Sequence, residues 1–149
     1  MKSLEIYVSG ICKGNPGKGG FAYTINDKIG IIWYRGSNIT EDTTNNQMEL
    51  AAVIEALKTI IKNEKLEEIS IKVFSDSAYI VNCFNDNWIK KWKQNNWINS
   101  KGEKVQNQEF WDLLDDLVIK TKAKFERVKR KHPRIKNVNA IANKKIYDL

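Results

Sequence analysis

Strand character is concentrated in the first 34 residues of this chain and thins out afterwards. Leu4-Glu5-Ile6-Tyr7-Val8 alternates at period two, Phe21 to Ile25 is a second short run, and Ile29 to Tyr34 is a third. Between them stand a turn-rich, Gly-rich stretch from Ser9 to Gly20, read as a loop, and the turn Asn26-Asp27-Lys28. With no helix to carry a crossover, such connections predict an antiparallel meander. The pattern then changes. Leu50, Val53, Ile54, Leu57, Ile60 and Ile61 recur at helical spacing behind the N-cap formers Thr43 to Asn46. A strand over Ile69 to Phe74 runs into Ser75-Asp76-Ser77, which caps a short helix through Phe84. A helix from about Gln108 to Lys120, a strand from Ala123 to Val128 and a last helix from roughly Asn137 to Tyr147 complete the series. A meander followed by strands alternating with helices predicts an α/β fold, a mixed five-stranded sheet covered by helices on both faces.

At 149 residues the chain is long enough to build a core without disulfide staples, and 42% apolar against 29% charged residues is a globular composition. No internal repeat or linker divides it, so one domain over 1–149 is expected, with an unusual Trp- and Lys-rich protrusion at about 87–106. No apolar run nears the ~20 residues of a membrane span, and MKSLEIYVSG has no signal-peptide core. Cys12 and Cys83 are too few for a zinc site or a disulfide framework. A reducing, cytoplasm-like compartment, no membrane partner and a monomer are the corresponding expectations.

Charge is polarised along the chain. Residues 1–119 hold 14 Lys and Arg against 16 Asp and Glu, whereas residues 120–149 hold 11 against 2. A basic C-terminal segment of this kind points to a polyanion, with nucleic acid ahead of an acidic membrane surface. The run Lys129 to Lys136 is expected to face it.

Four segments then occur in a specific order: Ser9-Gly10 through Gly14-Asn15-Pro16-Gly17, Thr44-Asn45-Asn46-Gln47-Met48-Glu49-Leu50, Ser75-Asp76-Ser77, and the Trp/Lys segment 88–104. With these segments the sequence resembles ribonuclease H type 1, which cuts the RNA strand of RNA/DNA hybrids, and the likeness runs over nearly the whole chain. The resemblance implies a two-metal nuclease, in which four carboxylates hold Mg²⁺ or Mn²⁺ across the scissile phosphate. Two of the four are present, Glu49 in the first turn of the long helix and Asp76 at the end of its strand. At the other two positions stand Ser9, where the family has Asp before Gly, and Asn139, six residues after the His132-Pro133 pair. The family's His-containing loop is shortened, and His132 matches the His of the His-Pro pair rather than a general acid. Each pair of unit charges at ~4 Å is worth about 4 kcal/mol at an effective dielectric near 20, before desolvation. Weak or absent metal binding and inactive or impaired cleavage are therefore expected.

Hybrid binding is a separate matter. The resemblance assigns Cys12, Gly14, Asn15, Asn45 and Asn46 to ribose hydroxyls in the minor groove. Thr44 belongs to a DNA phosphate pocket in which Asp42 and Lys91 replace the usual Arg and Asn, and Ala78 replaces a Gln beside Asp76. Trp88, Lys90, Lys91, Trp92, Lys93 and Trp97 match the basic protrusion that tracks the DNA strand. Lys neutralises phosphate and Trp offers a flat apolar platform, but the same Trp residues could pack the protrusion onto the domain. Cys12 could equally be an inert loop thiol. Ser9 lacks any His–carboxylate relay that would make it a nucleophile. Two other readings stand beside the leading one: a working endoribonuclease rescued by Glu5, Asp148 or substrate phosphate, and an interaction scaffold.

Overall fold

The computed structural model describes residues 1–147. Five strands, β1 (Lys2–Lys13), β2 (Gly17–Asn26), β3 (Ile32–Thr43), β4 (Ile69–Ser75) and β5 (Lys124–Arg127), form one sheet in the order β3-β2-β1-β4-β5. The pairs β1–β2 and β2–β3 are antiparallel, and β1–β4 and β4–β5 are parallel. Among the described residues five α-helices accompany them, α1 (Asn45–Asn63), α2 (Ala78–Asn85), α3 (Trp88–Gln94), α4 (Gln108–Thr121) and α5 (Pro133–Tyr147), with one 3-10 turn at Leu66–Glu68.

The alternation in β1 divides the core between the two faces of the sheet. Leu4, Ile6 and Val8 pack with Val53, Leu57 and Ile60 of α1. Tyr7 points the other way and packs with Phe74 and with Ile135, Val138 and Ala142 of α5. The mixed sheet with helices on both faces is thus as expected from sequence. The extents of the elements differ. The stretch Ser9 to Gly20 is not a loop: β1 continues to Lys13 and β2 begins at Gly17, leaving a turn of Gly14, Asn15 and Pro16. The glycines that weakened strand character here permit close approach instead. A Cβ on Gly10 would lie 2.3 Å from the Glu49 backbone nitrogen and 2.5 Å from the Met48 carbonyl carbon. Gly10→Ala is accordingly expected to push α1 off the sheet, costing about 2 kcal/mol as an overpacked contact. A thermal melt checks this, and an unchanged midpoint would refute it.

Strand β3 extends to Thr43, well past the expected Tyr34, because Arg35 to Asp42 is a polar edge with little burial to mark it. Strand β5 is shorter than expected, and α5 starts four residues early, at Pro133. Proline suits a first helical position, and His132 caps it: its Nδ1 accepts the Arg134 N–H at 3.1 Å. No described helix is long and apolar enough to cross a membrane.

Candidate functional site

Parallel pairing sets the site at the carboxyl end of β4. Tyr7 pairs with Phe74, so Ser9 on β1 and Asp76 after β4 each lie two residues beyond that pair. Asp76 is held between two local hydrogen bonds: Ser75 Oγ accepts the Ser77 N–H at 3.0 Å, and Ser77 Oγ accepts the Ile80 N–H at 3.3 Å, capping α2. Thr44 caps α1 in the same way, its Oγ1 accepting the Gln47 N–H at 3.2 Å. That cap and the close contact at Gly10 fix the start of α1, but no acidic residue lies in its first turn. Glu49 sits at the beginning of the second turn, one step further in than expected from sequence, and there it feels the charge of Asp76.

Glu49 and Asp76 share the wall of a polar cavity of about 690 Å³ with Ser77, Arg127, Val128, Lys129 and Arg130. Burial, and then the Asp76 charge, push the Glu49 carboxyl up to about 7; a Ser77 hydrogen bond and Arg130 oppose the shift. Arg130 Nε lies 3.7 Å from Asp76 Oδ2. On the α5 side, Asn139 Nδ2 donates to Ser9 Oγ at 3.0 Å. Asn143, one turn later, donates to both Asn139 Oδ1 at 2.9 Å and the Asn139 carbonyl at 3.0 Å. The two positions that lack carboxylates are therefore satisfied by each other.

This donor set does not fit a pair of divalent ions. Two carboxylates face the cavity, a guanidinium already stands beside one of them, and Ser9 and Asn139 offer only neutral groups engaged in their own bond. Among the described residues no three His, Cys, Asp or Glu side chains are placed to share a metal. Glu5 does not complete the set. It lies four residues back along β1, about 13 Å at the usual rise, and accepts from Asn26 Nδ2 at 3.2 Å. Asp148 lies outside the described residues. His132 does not line the cavity; it stacks on Tyr7 with ring centroids 5.3 Å apart.

The residues assigned to hybrid contact fall into two groups. Asn15 Oδ1 accepts the Asn45 N–H at 3.1 Å, joining the β1–β2 turn to the start of α1 and bringing Gly14, Asn15, Thr44, Asn45 and Asn46 to one end of the sheet. Cys12 belongs to the frame of this turn, its Sγ 3.1 Å from the Thr43 carbonyl and 3.4 Å from that of Gly17. In the protrusion the Trp residues pack on one another and on the domain. Trp92 lies 6.2 Å from both Trp88 and Trp97, and meets the buried Trp111 of α4 edge-on at 5.8 Å. Trp88 and Trp92 still wall a groove with Tyr79, Lys91 and Lys101. Lys90 and Lys91 are exposed, whereas Lys93 is tied to Asp115 at 2.8 Å and Asp112 at 3.6 Å. Sequence reasoning missed Arg130 and Asn143 as parts of the site. The second was signalled by its i,i+4 spacing from Asn139.

Comparison with known proteins bears on the family and the fold. The RNase H family model matches residues 1–145. A protein named Ribonuclease H from Caldicellulosiruptor saccharolyticus is 42% identical over 134 residues, covering 87% of this chain and 84% of that one. Another of that name from Clostridium botulinum is 42% identical over 135 residues, with the same coverage. Among solved structures, LC11-RNase H1 in complex with an RNA/DNA hybrid superposes with a TM-score of 0.79 at 22% identity, covering 97% of each chain. LC9-RNase H1, described as a type 1 RNase H with the type 2 active-site motif, gives 0.83 at 23% identity, covering 99% of this chain and 74% of that one.

Proposed function

This chain belongs to the ribonuclease H family, and from that premise we propose that it binds RNA/DNA hybrids as a monomeric domain and cuts them weakly or not at all. The observation that carries the second half is the 3.0 Å hydrogen bond from Asn139 to Ser9. It fills with a neutral couple the two places where the family uses carboxylates. Metal-assisted hydrolysis depends on anionic ligands that fix the ions about the scissile phosphate. Each 1.36 kcal/mol lost from the transition state is tenfold in rate. The first half is supported by residues expected to contact a hybrid that lie together at one end of the sheet and along the protrusion, despite the departures at Asp42, Ala78 and Lys91. The Asn15–Asn45 contact assembles the expected minor-groove residues, and Lys90, Lys91 and Lys101 stand exposed along the protrusion. A hybrid is distinguished from DNA by shape and 2′-hydroxyls, which suits a surface of Asn side chains and backbone groups.

The test is a pair of measurements on the unaltered chain. Affinity for a hybrid is compared with that for double-stranded DNA of the same sequence and salt, and cleavage is followed under single-turnover conditions in Mg²⁺ and in Mn²⁺. Tighter hybrid binding with no cleavage over hours is expected. Brisk cleavage would establish the working-nuclease reading. Equal, weak affinity for both duplexes would favour a scaffold.

A further inference from the structure

We propose that Arg130 takes the part of a cation at this site. Its guanidinium, seated against Asp76, receives a backbone phosphate of the bound duplex without a metal ion. The inference rests on the hybrid-binding reading above and adds the group that meets the phosphate.

The loop that carries Arg130 is tied to the site at both ends. Val128 N–H donates to the Ser75 carbonyl at 3.0 Å, anchoring the loop one residue before Asp76. His132 N–H donates to the Lys129 carbonyl at 2.9 Å, closing a turn with Arg130 and Lys131 at its centre. Arg130 is thereby presented at the mouth of the cavity, with its side chain 86% exposed beside an Asp76 side chain that is 23% exposed. A guanidinium has five N–H donors in a planar fork. One edge faces Asp76, and among the described residues no other protein group engages the rest. A phosphate fits the free edge, the usual bidentate partner of Arg.

The charge of the cavity points the same way. Its lining holds Arg127, Lys129 and Arg130 against Glu49 and Asp76, an excess of positive charge even with both acids ionised. Carboxylates at positions 9 and 139 would add two negative charges near it and call for bound cations before a phosphate could enter. With Ser9 and Asn139 neutral, a covalently attached cation suffices. Arg130 is placed here as a binding residue, with no role in bond breaking.

The experiment measures affinity of the full-length chain for a fluorescein-labelled RNA/DNA hybrid, in EDTA and in Mg²⁺ at matched ionic strength. Arg130→Ala, Arg130→Lys and a charge-loss control, Lys62→Ala, are compared with the unaltered chain. Lys62 is exposed at the far end of α1, about 20 Å from Glu49 along the helix. The expected result is affinity equal in EDTA and Mg²⁺ within about twofold, and a loss of about tenfold in Arg130→Ala. Arg130→Ala should also flatten the slope of log affinity against log salt by about one. Arg130→Lys should recover part of the loss, and Lys62→Ala should change nothing. Hybrid binding that Arg130→Ala leaves at the level of the control, or that strengthens tenfold or more on adding Mg²⁺, would overturn this inference alone. Failure of the unaltered chain to bind hybrid at all would overturn it together with the proposed function.

Discussion

Hybrid cleavage in Mg²⁺ is expected to rise by about a hundredfold or more when Ser9 and Asn139 are both replaced by Asp. The two substitutions must be made together, because each side chain is now the partner of the other across 3.0 Å. A single Asp would gain one anion and disturb the couple without completing the set. The support for the new carboxylate on α5 already exists, since Asn143 donates to the side-chain oxygen of residue 139 at 2.9 Å. The same variant has a thermodynamic signature that does not depend on turnover. Four carboxylates at the end of the sheet repel one another, at about 4 kcal/mol per close pair at an effective dielectric near 20 before relaxation. The double variant should therefore melt below the unaltered chain in EDTA and recover on adding Mg²⁺, because a ligand bound only by the folded state stabilises it by mass action. The unaltered chain should show little such response. A double variant that Mg²⁺ stabilises but that still leaves hybrid intact would locate the defect in the short loop at 128–132. One that neither binds Mg²⁺ nor cuts would sink the account of the site given above.

What the sequence revealed of this molecule follows the range of the interactions involved. Local periodicity sufficed for the kinds of element and their sequence: the β1 alternation and the apolar stripe of α1 are written in consecutive residues, whereas the seating of β4 beside β1 joins residues some 67 apart and is not. Strand ends were less legible. Gly10, Gly19 and Gly20 lowered the strand signal because it reports propensity, while their reason is contact with elements far along the chain. The polar reach of β3 was invisible for the opposite reason: a solvated edge has no burial to imprint on the sequence. At the site, Glu49 and Asp76 could be named from motifs, as could the unusual residues at 9 and 139. That Ser9 and Asn139 bond to each other could not, since 130 residues separate them. Arg130 was read only as one charge in a basic run. Its closeness to Asp76 depends on the anchoring of Val128 to Ser75 and on the turn at Lys129, which no spacing rule encodes. The protrusion was ambiguous in sequence because Trp serves packing and nucleic-acid contact equally well. The structure shows the packing in full and leaves one aromatic wall open beside Lys91.

Glu49→Gln is expected to stabilise the folded chain by about 3 kcal/mol at pH 8 and to have little effect at pH 4, read as the difference between the two proteins in urea unfolding. The sign follows from the direction of the shift. Burial and the neighbouring Asp76 raise the folded-state value of Glu49 from 4.5 to about 7, so the native protein holds this proton more tightly than the unfolded chain does. The resulting stabilisation is fully present below about pH 4.5 and is lost as pH rises through 7, where a partly buried carboxylate must ionise beside another. Glutamine keeps the shape and never acquires the charge. The gap between the proteins should therefore open between pH 5 and 7.5 and then level off. A shift of about 2.5 units at 1.36 kcal/mol each sets the ceiling, which solvent reaching the carboxyl lowers. Arg130 supplies a built-in check, because its charge opposes the shift. In an Arg130→Ala background the gap should begin to open at the same acidic pH, grow wider and level off at a higher pH. A gap that does not vary with pH would show that Glu49 is well hydrated and that Asp76 does not press on it. The crowding of two anions around a single guanidinium would then be wrong.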